Sequence, residues 1–441
     1  MQYREIIEKG LSLGIEELEV YATTKETNTL KVFNGQVETY NLSNLFSVSI
    51  RGLYQGKMGY VSTETVDEES IEELLKLLIE NAKVLTSSEK DFIYDGSGKY
   101  LEVDEVVADY KEHSFEEKVK MLKDLESRAL ASDPRIVRVG YCQYVEVSTR
   151  VDIVNSKGVN LSRNDSYMYV VLGVLAVVGE HNAMGYAADA NFKFSELETD
   201  RVLKEAVENA LATLGAGCIE TGSYEVVFRN DVATEILQAF SSVFSGEAAM
   251  RKMSILTDKI GLKVFGDNIQ IVDDPLYPDA LIKSSFDDEG VPCRFKKVVE
   301  NGVFNGFLHS QKTAHFFGCE PTGNGAKTNG SIVPSPSNLV LLPGLKSRSE
   351  VIKGVKKGIY VTEVAGLHAG LNPISGAFNV QASGHIIEDG KIVKPVTLFV
   401  VSGNFFEMFN DIKEIGNDIE KRFTGFASPT IHVNKLAVSG K

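Results

Sequence analysis

The sequence predicts an α+β protein. A duplicated α/β N-terminal half, made of two similar helix–sheet–helix units packed together, is followed by a β-rich C-terminal domain for which a barrel is one architecture. Three observations predict this. The triplet Met-Gly-Tyr occurs at Met58 and again at Met184, a spacing of 126 residues. The triplet Glu-Asn-Ala occurs at Glu80 and again at Glu208, a spacing of 128. After Gly215-Ala216-Gly217 the texture changes to Gly-rich, short strand patterns. The expected units are therefore 1–100, 101–217 and 222–441.

Each copy carries the same order of elements. The first opens with a helical stretch at 3–13, then alternating patterns at 17–22, 29–33 and 45–51, with the hairpin signal Asn34-Gly35 between them. Met58-Gly59-Tyr60 precedes a helix at 70–85, where Ile71, Leu74, Leu75, Leu78 and Ile79 recur at helical spacing. The second copy has a charged helix at 114–131, strands at 137–147 and 150–155, and the turn Lys157-Gly158. An apolar strand at 168–178, Met184-Gly185-Tyr186 and a helix at 202–214 complete it. A unit of this size buries its sheet poorly alone, so the copies should pack on each other. In the last third, strands are expected at 224–228, 269–272, 298–308, 339–342, 358–364, 377–388 and 396–401. Two helices, 231–244 and 405–415, interrupt them.

Composition narrows the function. The chain has 61 acidic and 46 basic residues, a net charge of −15. Nucleic-acid affinity needs clustered Lys and Arg, and only short runs such as Lys353-Gly354-Val355-Lys356-Lys357 occur, so direct nucleic-acid binding is not expected. The cysteines Cys142, Cys218, Cys293 and Cys319 form no CxxC pair and read as free thiols. The charged start of the chain lacks a signal-peptide core, and the longest apolar run, 168–178, is about half the ~20 residues a membrane helix takes. A cytoplasmic protein without membrane contact is expected.

Catalytic signatures are sparse. The seven histidines include no HExxH, and His309 and His315, six apart, would lie on different faces of a helix. No GxSxG elbow is present; Ser383-Gly384-His385 reads as a loop-like triplet. Pro321-Thr322-Gly323-Asn324-Gly325 lacks the phosphate-loop pattern and reads as a tight turn. Asp287-Asp288-Glu289-Gly290 lacks EF-hand spacing and reads as a structural or solvated turn rather than a cation site.

An ordered set of C-terminal segments resembles the TldD/PmbA peptidase family. These are Phe286-Asp287-Asp288-Glu289-Gly290-Val291-Pro292, Asn301-Gly302-Val303, Pro321 to Gly325, and Gly366-Leu367-His368-Ala369-Gly370-Leu371-Asn372-Pro373-Ile374-Ser375-Gly376-Ala377-Phe378. Ala382-Ser383-Gly384, Val401-Ser402-Gly403-Asn404, Ile415-Gly416-Asn417-Asp418 and Ser428-Pro429-Thr430-Ile431 follow. With the duplicated half, the resemblance covers nearly the whole chain. It implies two branches. TldD-type members resemble zinc peptidases with HExxxH on a helix and a cysteine near the chain end. PmbA/TldE-type members lack these residues and pair with a TldD-type subunit, and the heterodimer degrades unfolded or leader-bearing peptides.

In this chain the matching segment is 236–251. With Glu247 at the motif glutamate, Gly246 and Arg251 stand where the histidines would be, and Ser428-Pro429 stands at the cysteine's place. The resemblance therefore implies a PmbA/TldE-type subunit with no catalytic residue, no metal and no cofactor of its own. Zinc would belong to a TldD-type partner carrying HExxxH, with a homodimer in that partner's absence. His368, Asn372 and Ser375, in the loop typical of this branch, are the candidates for peptide or partner contacts. Polar residues that merely stabilise a turn are the competing explanation for them. The alternative function is a self-associating peptide-binding or scaffold protein without enzymatic activity. Family members described as modulators of DNA gyrase would act indirectly, given the acidic charge.

Overall fold

A computed structural model describes residues 3–84, 91–328 and 330–441. The first copy comprises α1 (Tyr3–Ser12), β1 (Glu17–Phe33), β2 (Gln36–Tyr54), β3 (Lys57–Thr63) and α2 (Glu68–Val84). The second repeats the order as α3 (Phe115–Ser132), β4 (Ile136–Asn155), β5 (Asn160–Val178), β6 (His181–Asn191) and α4 (Thr199–Thr213). Residue 85, the last of the helix expected at 70–85, lies outside the described residues. All six strands form one antiparallel sheet in the order β3-β2-β1-β4-β5-β6, so β1 and β4 join the copies at its centre.

The strands are longer than the periodicity suggests. The stretches 17–22 and 29–33 are the two ends of one strand, joined by the polar run Thr23-Thr24-Lys25-Glu26-Thr27-Asn28. That run has no apolar alternation. It stays extended because β2 and β4 pair with it on both sides, Thr24 lying opposite Phe46 and Arg150. Pairing here overrides local preference. The stretches 137–147 and 150–155 merge in β4 for the same reason.

Physical contacts account for the repeated triplets. An added Cβ on Gly59 would lie 2.1 Å from the Leu78 carbonyl oxygen, and one on Gly185 would lie 2.2 Å from that of Ala206. Each glycine lets a helix, α2 or α4, press its backbone onto the edge strand. Each Glu-Asn-Ala asparagine then closes the contact. Asn81 Nδ2 donates to the Tyr60 carbonyl and Asn209 Nδ2 to the Tyr186 carbonyl, both at 2.9 Å. The helices bury Ile71, Leu75 and Leu78 in one copy and Val202, Ala206 and Ala210 in the other, all on one face of the sheet. At the Asn34-Gly35 turn both residues have positive φ, 51° and 70°, as a type I′ hairpin requires. Their N–H groups donate to the two carboxylate oxygens of Glu126 on α3, at 2.8 and 2.7 Å, so the second copy holds the turn of the first.

The C-terminal region begins with β7 (Gly222–Phe228), α5 (Asn230–Phe240), α6 (Gly246–Met250), β8 (Ile271–Asp273), β9 (Lys296–Glu300) and β10 (Val303–Phe304). It continues with α7 (Gln311–Phe317), β11 (Gly325–Thr328), β12 (Ser331–Pro334), β13 (Leu339–Leu341), α8 (Arg348–Lys353), β14 (Lys357–Ala365) and α9 (Leu367–Gly370). β15 (Ala377–Glu388), β16 (Lys391–Asn404), α10 (Phe405–Asn410), β17 (Ile412–Ile415), β18 (Phe426–Ala427) and β19 (Ile431–Ser439) complete it. The order β16-β15-β14-β7-β19, with β19 pairing back onto β16, closes a five-stranded barrel, and β17 extends it beyond β19. Its core includes Val226, Phe228, Ile359, Val380, Phe399 and Val401, and α5 adds Ile236, Leu237 and Phe240.

Three expected elements are broken. The segment 405–415 is a short helix followed by β17, because 412–415 pairs with β19. The segment 298–308 turns at Asn301-Gly302, where both residues have positive φ. The segment 231–244 is helical only to Phe240 and continues as a 3₁₀ turn, Ser241–Phe244; extended Ser245 then separates it from α6. The four cysteines are free. Among the described residues no helix is long and apolar enough to cross a membrane.

The sheet face opposite the helices carries charge, and the C-terminal region docks there. Arg51 and Glu19 lie directly opposite each other across β1 and β2 and form two hydrogen bonds, at 2.7 and 3.0 Å. Both are buried, and Arg51 Nη1 also lies 3.5 Å from Glu289. Glu289 accepts from the Gln311 N–H. The predicted turn at 287–290 is held from within: Asp287 Oδ1 accepts from the N–H groups of Glu289 and Val291, and its Oδ2 from that of Gly325. Asp288 accepts from Tyr21 Oη, Arg163 Nη2 and the Lys327 N–H. The turn at 321–325 packs its Gly323, with φ +71°, against the backbone of Pro292 and Cys293.

Gly59→Ala and Gly185→Ala should each lower stability by about 1–3 kcal/mol, since a methyl group cannot fit against helix backbone. Arg51→Met should cost about 3–5 kcal/mol, because it leaves two buried carboxylates without their cation. Urea unfolding followed by circular dichroism checks all three.

Candidate functional site

The expected motif positions sit on α6, a helix of five residues. Gly246 donates its N–H to the Leu308 carbonyl at 2.8 Å, and a Cβ at this position would lie 2.4 Å from His309 Nδ1. The place of a first histidine ligand is thus taken by the ring of His309, which sequence order alone hides. His309 is buried, and its Nδ1 lies 3.2 Å from the Thr313 hydroxyl. Burial, and secondarily the nearby Arg294 charge, push its pKa down to about 4, so the ring is neutral at pH 7. Glu247 is bound by the guanidinium of Arg251 at 2.6 Å. The residues that stand at the zinc-ligand positions do not fit a zinc ion. One is a glycine blocked by an imidazole, and the other is a cation already on the motif glutamate. Among the described residues no three His, Cys, Asp or Glu side chains group closely enough to hold a metal ion. Ser428 exchanges bonds with Thr234 on α5 and turns its hydroxyl to the Pro429 carbonyl.

His368 is an exposed residue of α9, which packs beside α5. Asn372 Oδ1 accepts from the N–H groups of Ile374 and Ser375, and the Ser375 carbonyl accepts from Asn404 Nδ2. Asn372 and Ser375 therefore shape the loop that leads into β15.

A cleft of about 720 Å³ lies elsewhere, between the second copy and the barrel. Arg229, at the start of α5, chelates Asp231 at 2.7 and 2.6 Å and reaches Asn209 Oδ1 at 3.1 Å. Asn209 is the repeat asparagine, so the contact that docks α4 on β6 also anchors α5. One turn on, Glu235 faces the cleft, and partial burial together with Asp231 and Glu363 raises its pKa. Ser383 and His385 are alternate residues of β15, not a loop. Both line the cleft, while Gly384 between them packs against the Tyr360 carbonyl. His385 Nε2 lies 2.9 Å from the Ala212 carbonyl, which places its proton there; burial lowers its pKa and keeps the ring neutral. Ser383 Oγ pairs with Thr397 Oγ1 at 2.9 Å rather than with the imidazole. The cleft combines acceptor-rich walls and hydroxyls without a hydroxyl–imidazole couple. It suits holding an extended, hydrogen-bonding chain better than nucleophilic attack. The sequence marks Ser383 and His385, the Met184-Gly185-Tyr186 triplet and Asn209 of the second Glu-Asn-Ala triplet, but no pattern joins them to Arg229, Glu235 or Thr397.

His309 gives a pH test. Its folded-state pKa, about 4, lies below the ordinary value of 6.5, so the unfolded chain binds more protons between those values. Stability should be full above pH 6.5 and fall on acidification toward pH 4, by on the order of 3 kcal/mol. His309→Gln should flatten this part of the profile, as read from urea midpoints across that range.

Comparison with known proteins agrees with this architecture. Three family models match in order: PmbA/TldA metallopeptidase domain 1 at residues 18–82, the central domain at 108–214 and the C-terminal domain at 221–440. A crystal structure from Thermotoga maritima, named as a proposed modulator of a DNA gyrase, is 30% identical and covers 99% of this chain and 100% of its own, with a TM-score of 0.90. The metalloprotease PmbA homolog of Haemophilus influenzae is 25% identical over 92% of this chain and 88% of its own. TldE from Thermococcus kodakarensis has the same fold, with a TM-score of 0.89 at 22% identity over 99% of this chain and 100% of its own. The chain belongs to the PmbA/TldD metallopeptidase family.

Proposed function

We propose that this chain is the non-zinc-binding, PmbA/TldE-type subunit of a two-component cytoplasmic TldD/TldE metallopeptidase acting on unfolded or leader-bearing peptides. The observation that carries the reading is the state of α6, where Gly246 and Arg251 flank a Glu247 that Arg251 neutralises. A glutamate base in such an enzyme works on a water whose pKa a metal has lowered. With a guanidinium on its carboxylate and no ligand pair beside it, Glu247 has no such water to use. The role left to the chain is to close the chamber around a HExxxH partner's site and shape peptide access. The cleft beside α5, with Glu235 and the Ser383–Thr397 hydroxyls, is the surface for the peptide, and the loop bearing His368, Asn372 and Ser375 lies near the same helix. A net charge of −15 disfavours binding to phosphate backbones. The gyrase modulation in a relative's name therefore belongs to an indirect effect.

Purified chain should hydrolyse neither casein nor short peptides, with or without added zinc. Co-expression with a HExxxH homologue should yield a complex whose peptidase activity exceeds that of either subunit alone. Robust hydrolysis by the pure chain, or a mixture no more active than the HExxxH protein by itself, refutes the subunit role. Glu235→Gln with Ser383→Ala should raise the KM of the mixed enzyme for peptide more than it lowers kcat, as steady-state kinetics would show.

A further inference from the structure

We propose that the cleft between the second copy and the barrel selects its peptide by a basic side chain, a lysine or arginine whose charged head lies between Glu235 and Glu363. This rests on reading the cleft as the peptide surface and adds what that surface prefers. The barrel wall is built by register. Glu363 on β14 lies directly opposite Ser383 on β15, and the Ser383 hydroxyl pairs with that of Thr397 on β16 at 2.9 Å. Residues directly opposite in a ladder share a sheet face, so a carboxylate and two hydroxyls stand in a row across three strands. Glu235 faces the cleft from α5, which packs against β14. His385, 8% exposed, lines the same wall. Its Nε2–H is given to the Ala212 carbonyl, and its Nδ1 is an acceptor with no donor among the described residues.

The charges that line the cleft do not balance. Arg229 is the one Lys or Arg among the lining residues, and Asp231 holds it with two hydrogen bonds. Glu180, Glu235 and Glu363 also line the cleft and form no ion pair among the described residues. Partial burial, and then the charges of Asp231 and Glu363, raise the Glu235 pKa. Carboxylates set together in this way repel one another, and a cation placed between them turns the repulsion into attraction. The opposite wall suits the rest of a basic side chain. Met184 and Tyr186 of β6 line it and are 40% and 54% exposed. They offer a thioether and a ring face to an aliphatic stem, and lysine and arginine pack such stems on apolar surface while their heads stay among polar groups. Gly173 gives the ring its seat, since a Cβ there would lie 2.5 Å from Tyr186 Cε1. An acidic side chain would meet repulsion, and a neutral one would leave the carboxylates uncompensated.

The test uses the full chain and three end-blocked peptides that differ at one central residue: arginine, its neutral isostere citrulline, or glutamate. By fluorescence anisotropy or calorimetry, the arginine peptide should bind at least about 10-fold more tightly than the citrulline peptide, and the glutamate peptide more weakly still. Glu235→Gln with Glu363→Gln should bring the arginine peptide to the citrulline level. The melting temperature of this variant should be no lower than that of the wild type, since like charges are removed. Glu73→Gln with Glu116→Gln, on exposed residues of α2 and α3, changes the net charge equally and should keep the preference. Equal binding of all three peptides leaves the cleft as a peptide surface and overturns the preference. So does a preference that survives the change at Glu235 and Glu363, or one that falls as far with the change at Glu73 and Glu116. Binding of none of the three overturns the peptide surface together with the preference.

Discussion

The architecture rests on one buried ion pair and the register it demands. Glu19 and Arg51 face each other across β1 and β2, and Arg51 reaches on to Glu289 of the C-terminal region. Side chains alternate between sheet faces, so a slip of one residue in this hairpin would carry Arg51 into the apolar helix side. Burying these charges is tolerable only while every one is paired. The pair therefore selects the register, and the register decides where the C-terminal region can dock. Around it Asp287 and Asp288 bind backbone and side-chain donors from both halves, and Lys327 lies 4.3 Å over the Tyr21 ring. The loop between Phe286 and Val291 is where the duplicated sheet and the barrel region are sewn together.

The duplication was legible in the sequence because its motifs are steric. A glycine that admits a helix backbone and an asparagine that bonds across the contact leave recognisable letters at fixed spacing. The long strands were not legible, because 23–28 is polar and is held extended by neighbours on both sides. The type I′ turn at Asn34-Gly35 could be read, but its Glu126 ligand lies 92 residues away and could not. The barrel was foreseen as a class, while its closure depends on β19 returning to β16, which no local pattern announces. The breaks after Phe240 and Asn410 follow from competing partners, Leu308 for Gly246 and β19 for 412–415.

The candidate site shows the same division. Gly246, Glu247 and Arg251 could be named from residue order, and the Glu247–Arg251 pair follows from their helical spacing. His309 against Gly246 could not be seen, since 63 residues separate them and the contact is made by loop packing. The cleft draws on β6, α4, α5, β14, β15 and β16. Its coherence comes from Arg229, which ties α5 to the asparagine of the second repeat. On α6 the one feature that the spacing and the geometry share is the paired Glu247 and Arg251.

The grip of Glu126 on the Asn34-Gly35 turn has a consequence in time. Ribosomes add about 5–20 residues each second. After the β1–β2 hairpin emerges, another hundred or so residues must follow before α3 and β4 are complete, an interval of roughly ten seconds. Throughout it the turn lacks its carboxylate and β1 lacks its central neighbour. The first copy must wait half-assembled for the second, with a bare strand edge facing whatever the nascent chain meets. The copies, once equivalent, have become consecutive steps of one assembly, and the order of synthesis decides which of them waits.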